Sequence, residues 1–349
     1  MFARPQSTTT SLSAASRAGR AVPAVRRQRL DGWRDYAERT IITSDGVRLA
    51  VRDYGSAGPA RHTLVLLHGL CLTKSSWALQ IRELRLRWGN GLRIITYDHR
   101  GHGASTGGGM QTYQIDRLAA DLAEVLTALR VGGPLTLAGH SMGGMTALAY
   151  FGRPTGDRPV EPQGLVLIAS AAGRLAERGL GRLLATPATG WLFGLVGHLP
   201  RRAADQAIEG LTRPVRDGIV RYSGHGIADV TRSAIHTISL STAAGFLPSL
   251  KRYDQYHTLK SIAAKTIVIS GGADMTTPVI HARDVAAAIP GAIHLHRPTA
   301  GHMLLQDESG FVTNAIDSVM GLPRPPARAV SARVPDSGSG TTQLTAAVS

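Results

Sequence analysis

The sequence predicts an α/β protein: a mostly parallel central sheet flanked by helices, with a helical cap inserted before one of the last strands. Three observations predict it. Short apolar runs such as residues 63–67 lack in–out alternation, as strands buried on both faces do. Helical segments separate those runs, which suits parallel strands joined by crossovers. One gap, residues 173–257, breaks the rhythm and is too long for an irregular loop.

The elements follow in order. Residues 1–34 are expected to form a disordered basic arm. Runs at 39–43 and 47–54 flank Ser44-Asp45-Gly46, a hairpin signal. The strand at 63–67 ends in His68-Gly69, and the strand at 92–97 precedes a loop over 98–109. A helix is expected over 112–129, where Ile115, Leu118, Leu122, Val125 and Leu129 recur at helical spacing. A strand at 135–138, a helix at 142–151 and a strand at 165–169 come next. After the gap come a strand at 266–270, a helix at 279–289, a strand at 292–296 and a helix at 310–320. Residues 35–172 and 258–322 thus form the core, and 173–257 a mostly helical cap. The cap includes an apolar segment, 183–199, interrupted by Pro187 and glycines. The Pro/Ala/Ser/Gly-rich tail, 323–349, is expected to be disordered.

Composition excludes several function classes. The net charge of +15 would suit a nucleic-acid partner, but residues 1–30 hold six arginines and no acid, and the tail nets +2. The remaining +7 carries no nucleic-acid motif, so no such partner is expected. Cys71 is the single cysteine, which excludes an intrachain disulfide and a thiolate metal cluster. The close pairs His99/His102 and His294/His296 lack an accompanying carboxylate or cysteine set, so no metal is expected. Gly107–Gly109 lack a following Gly-Lys-Ser/Thr, so no nucleotide loop is expected either. No run of 18 apolar residues is present, so no transmembrane segment is expected. The N-terminal arginines precede no apolar core, unlike a secretory signal; a disordered extension is favoured over a mitochondrial presequence. These readings together favour a cytoplasmic location. The oligomeric state is open.

Gly139-His140-Ser141-Met142-Gly143 matches Gly-x-Ser-x-Gly between an apolar strand and an Ala/Leu-rich helix. The chain must turn there within a few residues, and bulky side chains at 139 and 143 would collide. Ser141 is therefore the candidate nucleophile. A serine hydroxyl needs a base, and His302 lies just after the last expected strand. A carboxylate must orient that imidazole, and Asp274 follows the preceding strand. Asp98 and Asp307 also lie near strand ends and are the alternative acids. The order Ser141, Asp274, His302 places each at a strand's carboxyl end, where open α/β sheets carry their sites. Met142 N–H supplies one oxyanion donor; the other comes from the loop after residue 67, from Leu70 N–H or, less favoured, Cys71 N–H. His68 is read as structural.

The chain resembles the α/β-hydrolase fold superfamily over roughly residues 38–322. The resemblance rests on His68-Gly69-Leu70, Asp98-His99-Arg100-Gly101-His102-Gly103-Ala104-Ser105, Gly139-His140-Ser141-Met142-Gly143-Gly144, Gly271-x-x-Asp274 and Gly301-His302. Within the superfamily it is most similar to serine esterases, lipases and cofactor-free haloperoxidases, where the 98–105 loop is structural. Serine rather than aspartate at the elbow separates it from epoxide hydrolases and haloalkane dehalogenases. The resemblance implies hydrolysis of a small-molecule carboxylic ester through an acyl-enzyme, without a cofactor. An apolar cap favours a hydrophobic or lipid-like ester, although its apolar segment also suits ordinary packing on the sheet. Acyl transfer to another acceptor, including peroxide, is the alternative activity. A non-catalytic receptor or scaffold is the alternative of another class.

Overall fold

The computed structural model describes residues 20–22, 35–55, 60–178 and 240–321. The expectations for the rest of the N-terminal arm, for the middle of the cap at 179–239 and for the tail lie outside the described residues.

The described residues form one nine-stranded sheet. In chain order the strands are β1 (Arg20–Val22), β2 (Tyr36–Ile42), β3 (Arg48–Tyr54), β4 (His62–Leu67), β5 (Leu92–Tyr97), β6 (Leu135–His140), β7 (Gly164–Ile168), β8 (Lys265–Gly271) and β9 (Ile293–Arg297). Their spatial order is β1-β2-β3-β5-β4-β6-β7-β8-β9. The pairs from β1 to β5 on that edge are antiparallel, and every pair from β5 onward is parallel. β1 falls inside the segment expected as a disordered arm, and it extends the sheet edge by pairing Ala21 with Ile41.

The apolar runs are explained by two cores. Val65 and Leu67 of β4 face one core, and Leu64 and Leu66 face the other. β5 divides likewise, with Ile95 and Tyr97 on the first side and Ile94 on the second. A strand covered on both faces has no side to leave polar. Helices α2 (Ile115–Ala128) and α3 (Met142–Phe151) belong to the first core, through Leu118, Leu122 and Leu148. Helix α1 (Ala78–Trp88) covers the second face through Ile81 and Leu84. It was not expected from the sequence.

Further helices are α4 (Leu240–Arg252), α5 (Tyr256–Leu259), α6 (Val279–Ala288), α7 (Leu304–Asp307) and α8 (Ser309–Met320). α4 lies within the region expected as a helical cap, and α8 completes the second core with Val312, Ile316 and Val319. No helix among the described residues is long and apolar enough to cross a membrane.

The strand order reverses at β4. The chain goes from β4 to β5 on one side and then to β6 on the other. Such a switch opens a crevice at the carboxyl ends of the strands. The pairing of Leu67 with Gly139 sets the register there, so the loop leaving β4 runs beside the turn leaving β6.

Candidate active site

Ser141 occupies that turn with φ 52° and ψ −119°. L-residues rarely adopt a positive φ, and surrounding structure must hold one there. Ser141 N–H donates to Ile168 O at 2.9 Å, and Ser170 Oγ donates to Ser141 O at 2.8 Å. Glycines make the turn sterically possible. A Cβ on Gly139 would lie 2.4 Å from Gly143 backbone atoms, and one on Gly143 would lie 2.2 Å from Leu67 O. The elbow is therefore packed backbone against backbone.

The structure brings Ser141, His302 and Asp274 together. Ser141 Oγ lies 3.1 Å from His302 Nε2, and His302 Nδ1 lies 2.8 Å from Asp274 Oδ2. A carboxylate only accepts hydrogen bonds, so Nδ1 carries the proton and Nε2 is free to accept from the serine hydroxyl. Asp274 is itself held firmly. Its Oδ1 accepts from the N–H groups of Thr276 and Thr277 at 2.8 and 2.9 Å, and its Oδ2 accepts from Thr277 Oγ1 at 2.8 Å. Burial pushes the carboxyl's pKa up, but His302 and the Thr277 donors outweigh burial and hold it below the ordinary value. Gly271 and Gly272 allow the acid and base loops to meet: a Cβ at either would lie within 2.3 Å of a carbonyl oxygen in the 298–300 turn.

The loop after β4 is organised by three imidazoles. His99 N–H donates to His68 Nε2 at 2.9 Å, so the His68 proton sits on Nδ1 and is donated to Gly69 O at 2.8 Å. His102 Nδ1–H donates to Arg100 O at 3.0 Å, which leaves Nε2 as an acceptor for Cys71 N–H at 3.4 Å. Burial holds all three rings neutral, with His68 pushed down to about 3 and His102 to about 4. This separates the two candidate donors. Cys71 N–H is engaged by His102, whereas among the described residues no acceptor is assigned to Leu70 N–H. Met142 opens α3, and the first N–H groups of a helix have no partner within it. Among the described residues Leu70 and Met142 thus offer two N–H groups with no assigned acceptor, one from the loop after β4 and one from the start of α3.

The 98–105 loop is built as a brace. Asp98 accepts from Lys74 N–H at 2.7 Å, from Lys74 Nζ at 2.5 Å and from Ala104 N–H at 2.9 Å. Arg100, fully buried, bonds Asp121 on α2 and Asp45 in the β2–β3 turn. These carboxylates are engaged away from His302. Asp307 ends α7, and Asp274 holds the His302 ring.

Sequence reasoning missed residues on α4. Gly101 lies beneath Thr242, its Cβ position 2.6 Å from Thr242 Cγ2, and the His102 ring lies 5.9 Å from that of Phe246. α4 therefore stands over the loop that braces the site. It also missed Lys74, which reads as a surface lysine until its partner Asp98 is known. His294 and His296 both bond Ser270 Oγ, at 2.8 and 3.0 Å. Among the described residues, no group of three or more His, Cys, Asp or Glu is arranged to hold a metal.

Comparison with known proteins bears on the family and the fold. A model of the alpha/beta hydrolase family matches residues 64–315. The non-heme chloroperoxidase CPO-A1 of Kitasatospora aureofaciens is 37% identical over 32% of this chain and 37% of its own. The sn-1-specific diacylglycerol lipase ABHD11 of Mus musculus is 25% identical over 74% of this chain and 80% of its own. The first of these relatives is thus matched over well under half its length. Among solved structures, an esterase from Exiguobacterium antarcticum superposes with a TM-score of 0.64 at 22% identity, covering 81% of this chain and 99% of that one. At that identity the likeness shows the shared fold.

Proposed function

The chain belongs to the alpha/beta hydrolase family, and we propose that it cleaves carboxylic esters through an acyl-enzyme on Ser141. The observation that carries the reading is the relay Asp274–His302–Ser141, with contacts of 2.8 and 3.1 Å ending on a serine in a strained turn.

His302 Nε2 takes the hydroxyl proton as Ser141 Oγ attacks the ester carbonyl. Asp274 stabilises the imidazolium that forms. The carbonyl oxygen becomes an oxyanion and is held by the N–H groups of Leu70 and Met142, at the positive end of the α3 dipole. His302 then gives its proton to the departing alcohol. A water attacks the acyl-enzyme as His302 takes its proton; His302 then gives that proton back to Ser141 Oγ as the acid is released.

Likeness to a diacylglycerol lipase supports an apolar, lipid-like acyl group. Turnover of p-nitrophenyl esters from acetate to octanoate tests this, with Ser141→Ala as control. The expected result is turnover that rises with chain length and is abolished in the control. A preference for acetate overturns the lipid-like substrate, and turnover by the control overturns the nucleophile. Likeness to a chloroperoxidase supports a second reading, transfer of the acyl group from Ser141 to hydrogen peroxide. Peracid formation in competition with hydrolysis distinguishes the two.

A further inference from the structure

His140 precedes the nucleophile and carries no step of the cycle above. The residue is 1% exposed, and its Nε2 lies 2.9 Å from His302 O. A carbonyl oxygen only accepts, so His140 Nε2 carries the proton and donates. That bond joins residues 162 apart in the chain.

The bond matters because of what else holds His302. The residue sits in the turn between β9 and α7, outside any regular element. Among the described residues, no backbone N–H is assigned to His302 O, and no acceptor to His302 N–H. The neighbouring bonds, Gln306 and Asp307 N–H to Met303 O, begin one residue later. His140 is therefore the assigned anchor of the His302 main chain. The Asp274 carboxylate orients the ring, but it leaves the distance of the ring from Ser141 to the backbone beneath it.

The other edge of the His140 ring faces the oxyanion loop. A Cβ built on Gly69 would lie 2.9 Å from His140 Nδ1 and 3.1 Å from Ser141 Cβ. Gly69 thus lies close against the Nδ1 edge of the imidazole, one residue before the Leu70 N–H. The rings of His140 and His302 are 5.0 Å apart and tilted by 53°. One ring touches the base loop, the oxyanion loop and the nucleophile turn together.

We propose that His140 is a positioning residue: its imidazole sets the spacing between the His302 base and the Gly69–Leu70 oxyanion loop. The inference rests on the esterase reading of Ser141. Burial and the adjacent His302 push the ring's pKa down to about 3, so it remains neutral while His302 cycles its charge. A neutral ring keeps one protonated nitrogen for His302 O and a bare one toward Gly69. Burial of the bare Nδ1, which has no hydrogen-bond partner among the described residues, carries a cost that an apolar side chain would avoid. Retaining histidine there is explained by the donor at the other end of the ring.

The test compares His140→Gln, His140→Asn and His140→Leu with wild type in p-nitrophenyl ester hydrolysis. A glutamine amide reaches the position of Nε2, an asparagine amide falls one methylene short, and leucine has no donor. The expected result is a roughly 10- to 100-fold loss of kcat in the Asn and Leu variants, with KM within about threefold, since a misplacement near 1 Å can cost about 10²-fold. His140→Gln is expected to recover most of that loss. The low-field Nδ1 proton signal of the His302–Asp274 bond is expected to persist in His140→Gln and to broaden or vanish in the other two. Equal kcat in the Gln and Asn variants overturns the proposal, and so does wild-type kcat in His140→Leu. If leucine prevents folding, the Gln/Asn contrast still decides. Wild-type protein that fails to hydrolyse esters defeats the esterase reading instead, and is seen before any variant is compared.

Discussion

Cys71 N–H is turned toward His102 Nε2, 3.4 Å away, so the loop after β4 presents Leu70 N–H as its free donor. Cys71 itself has φ 62°, a left-handed conformation that the contact helps to hold. Replacing His102 with leucine removes the acceptor and frees the loop. Loss of a complete oxyanion donor costs about 10²- to 10³-fold in kcat. A loosened donor is expected to cost less, about 10- to 100-fold, with the serine still reactive. Steady-state kinetics of His102→Leu check this; an unchanged kcat would show that the contact does not set the loop.

Asp274→Asn leaves a side chain of the same shape that can no longer fix the His302 tautomer. The amide can donate to His302 and so favour a proton on Nε2, where the hydroxyl proton must go. The expected loss is about 10³- to 10⁴-fold in kcat. Thermal unfolding should show the fold intact, and Asp274→Asn with near-normal turnover would place the orienting acid elsewhere.

Gly143→Ala should fail for a steric reason. Its new Cβ would meet Leu67 O at 2.2 Å, and neither partner is a side chain that can rotate away. Overpacking of a closed site costs about 1–3 kcal/mol, and backbone-on-backbone contact belongs at the upper end or beyond. Urea unfolding is the measurement. Gly156→Ala is the control, because its Cβ would meet nothing within 4 Å.

The buried histidines make stability depend on pH. His62 and His102 are pushed down to about 4 by burial, and His68 and His140 to about 3. Their unfolded value is near 6.5, so between about pH 4 and 6.5 the unfolded chain binds more protons than the folded one. Stability therefore rises with pH through that window and is lost as pH falls below 6.5. Asp274 and Asp98, held below the ordinary carboxylate value, add their own loss only at still lower pH. The melting temperature is expected to fall by about 5 °C or more between pH 7.5 and 5.0, since each histidine contributes up to about 1.4 kcal/mol per pH unit. A flat profile would mean that these rings are not held neutral.

Much of this site was legible in the sequence because its parts sit at strand ends. Apolar runs marked β4, β6 and β8, a strand was also expected at β9, and the residues following these four included Leu70, Ser141, Asp274 and His302. Glycines at 139 and 143 signalled close backbone approach in the sequence itself, whereas the approach of Gly271 and Gly272 to the 298–300 turn shows only in the structure. Helix α1 was illegible for a physical reason: Leu79 and Leu86 are 43% and 70% exposed, so its apolar residues do not form one stripe. The roles of His140, His102 and Lys74 were hidden too. Each depends on a partner loop, and local spacing carries no record of which polar groups a fold brings together.

Ser141 acts in this reading as the activated nucleophile. Reaction of the folded protein with a fluorophosphonate, followed by peptide mapping, tests it most directly. The expected result is one adduct on Ser141, absent in Ser141→Ala and slowed strongly in a His302→Ala variant. Labelling at another residue, or none on folded protein, would contradict the account.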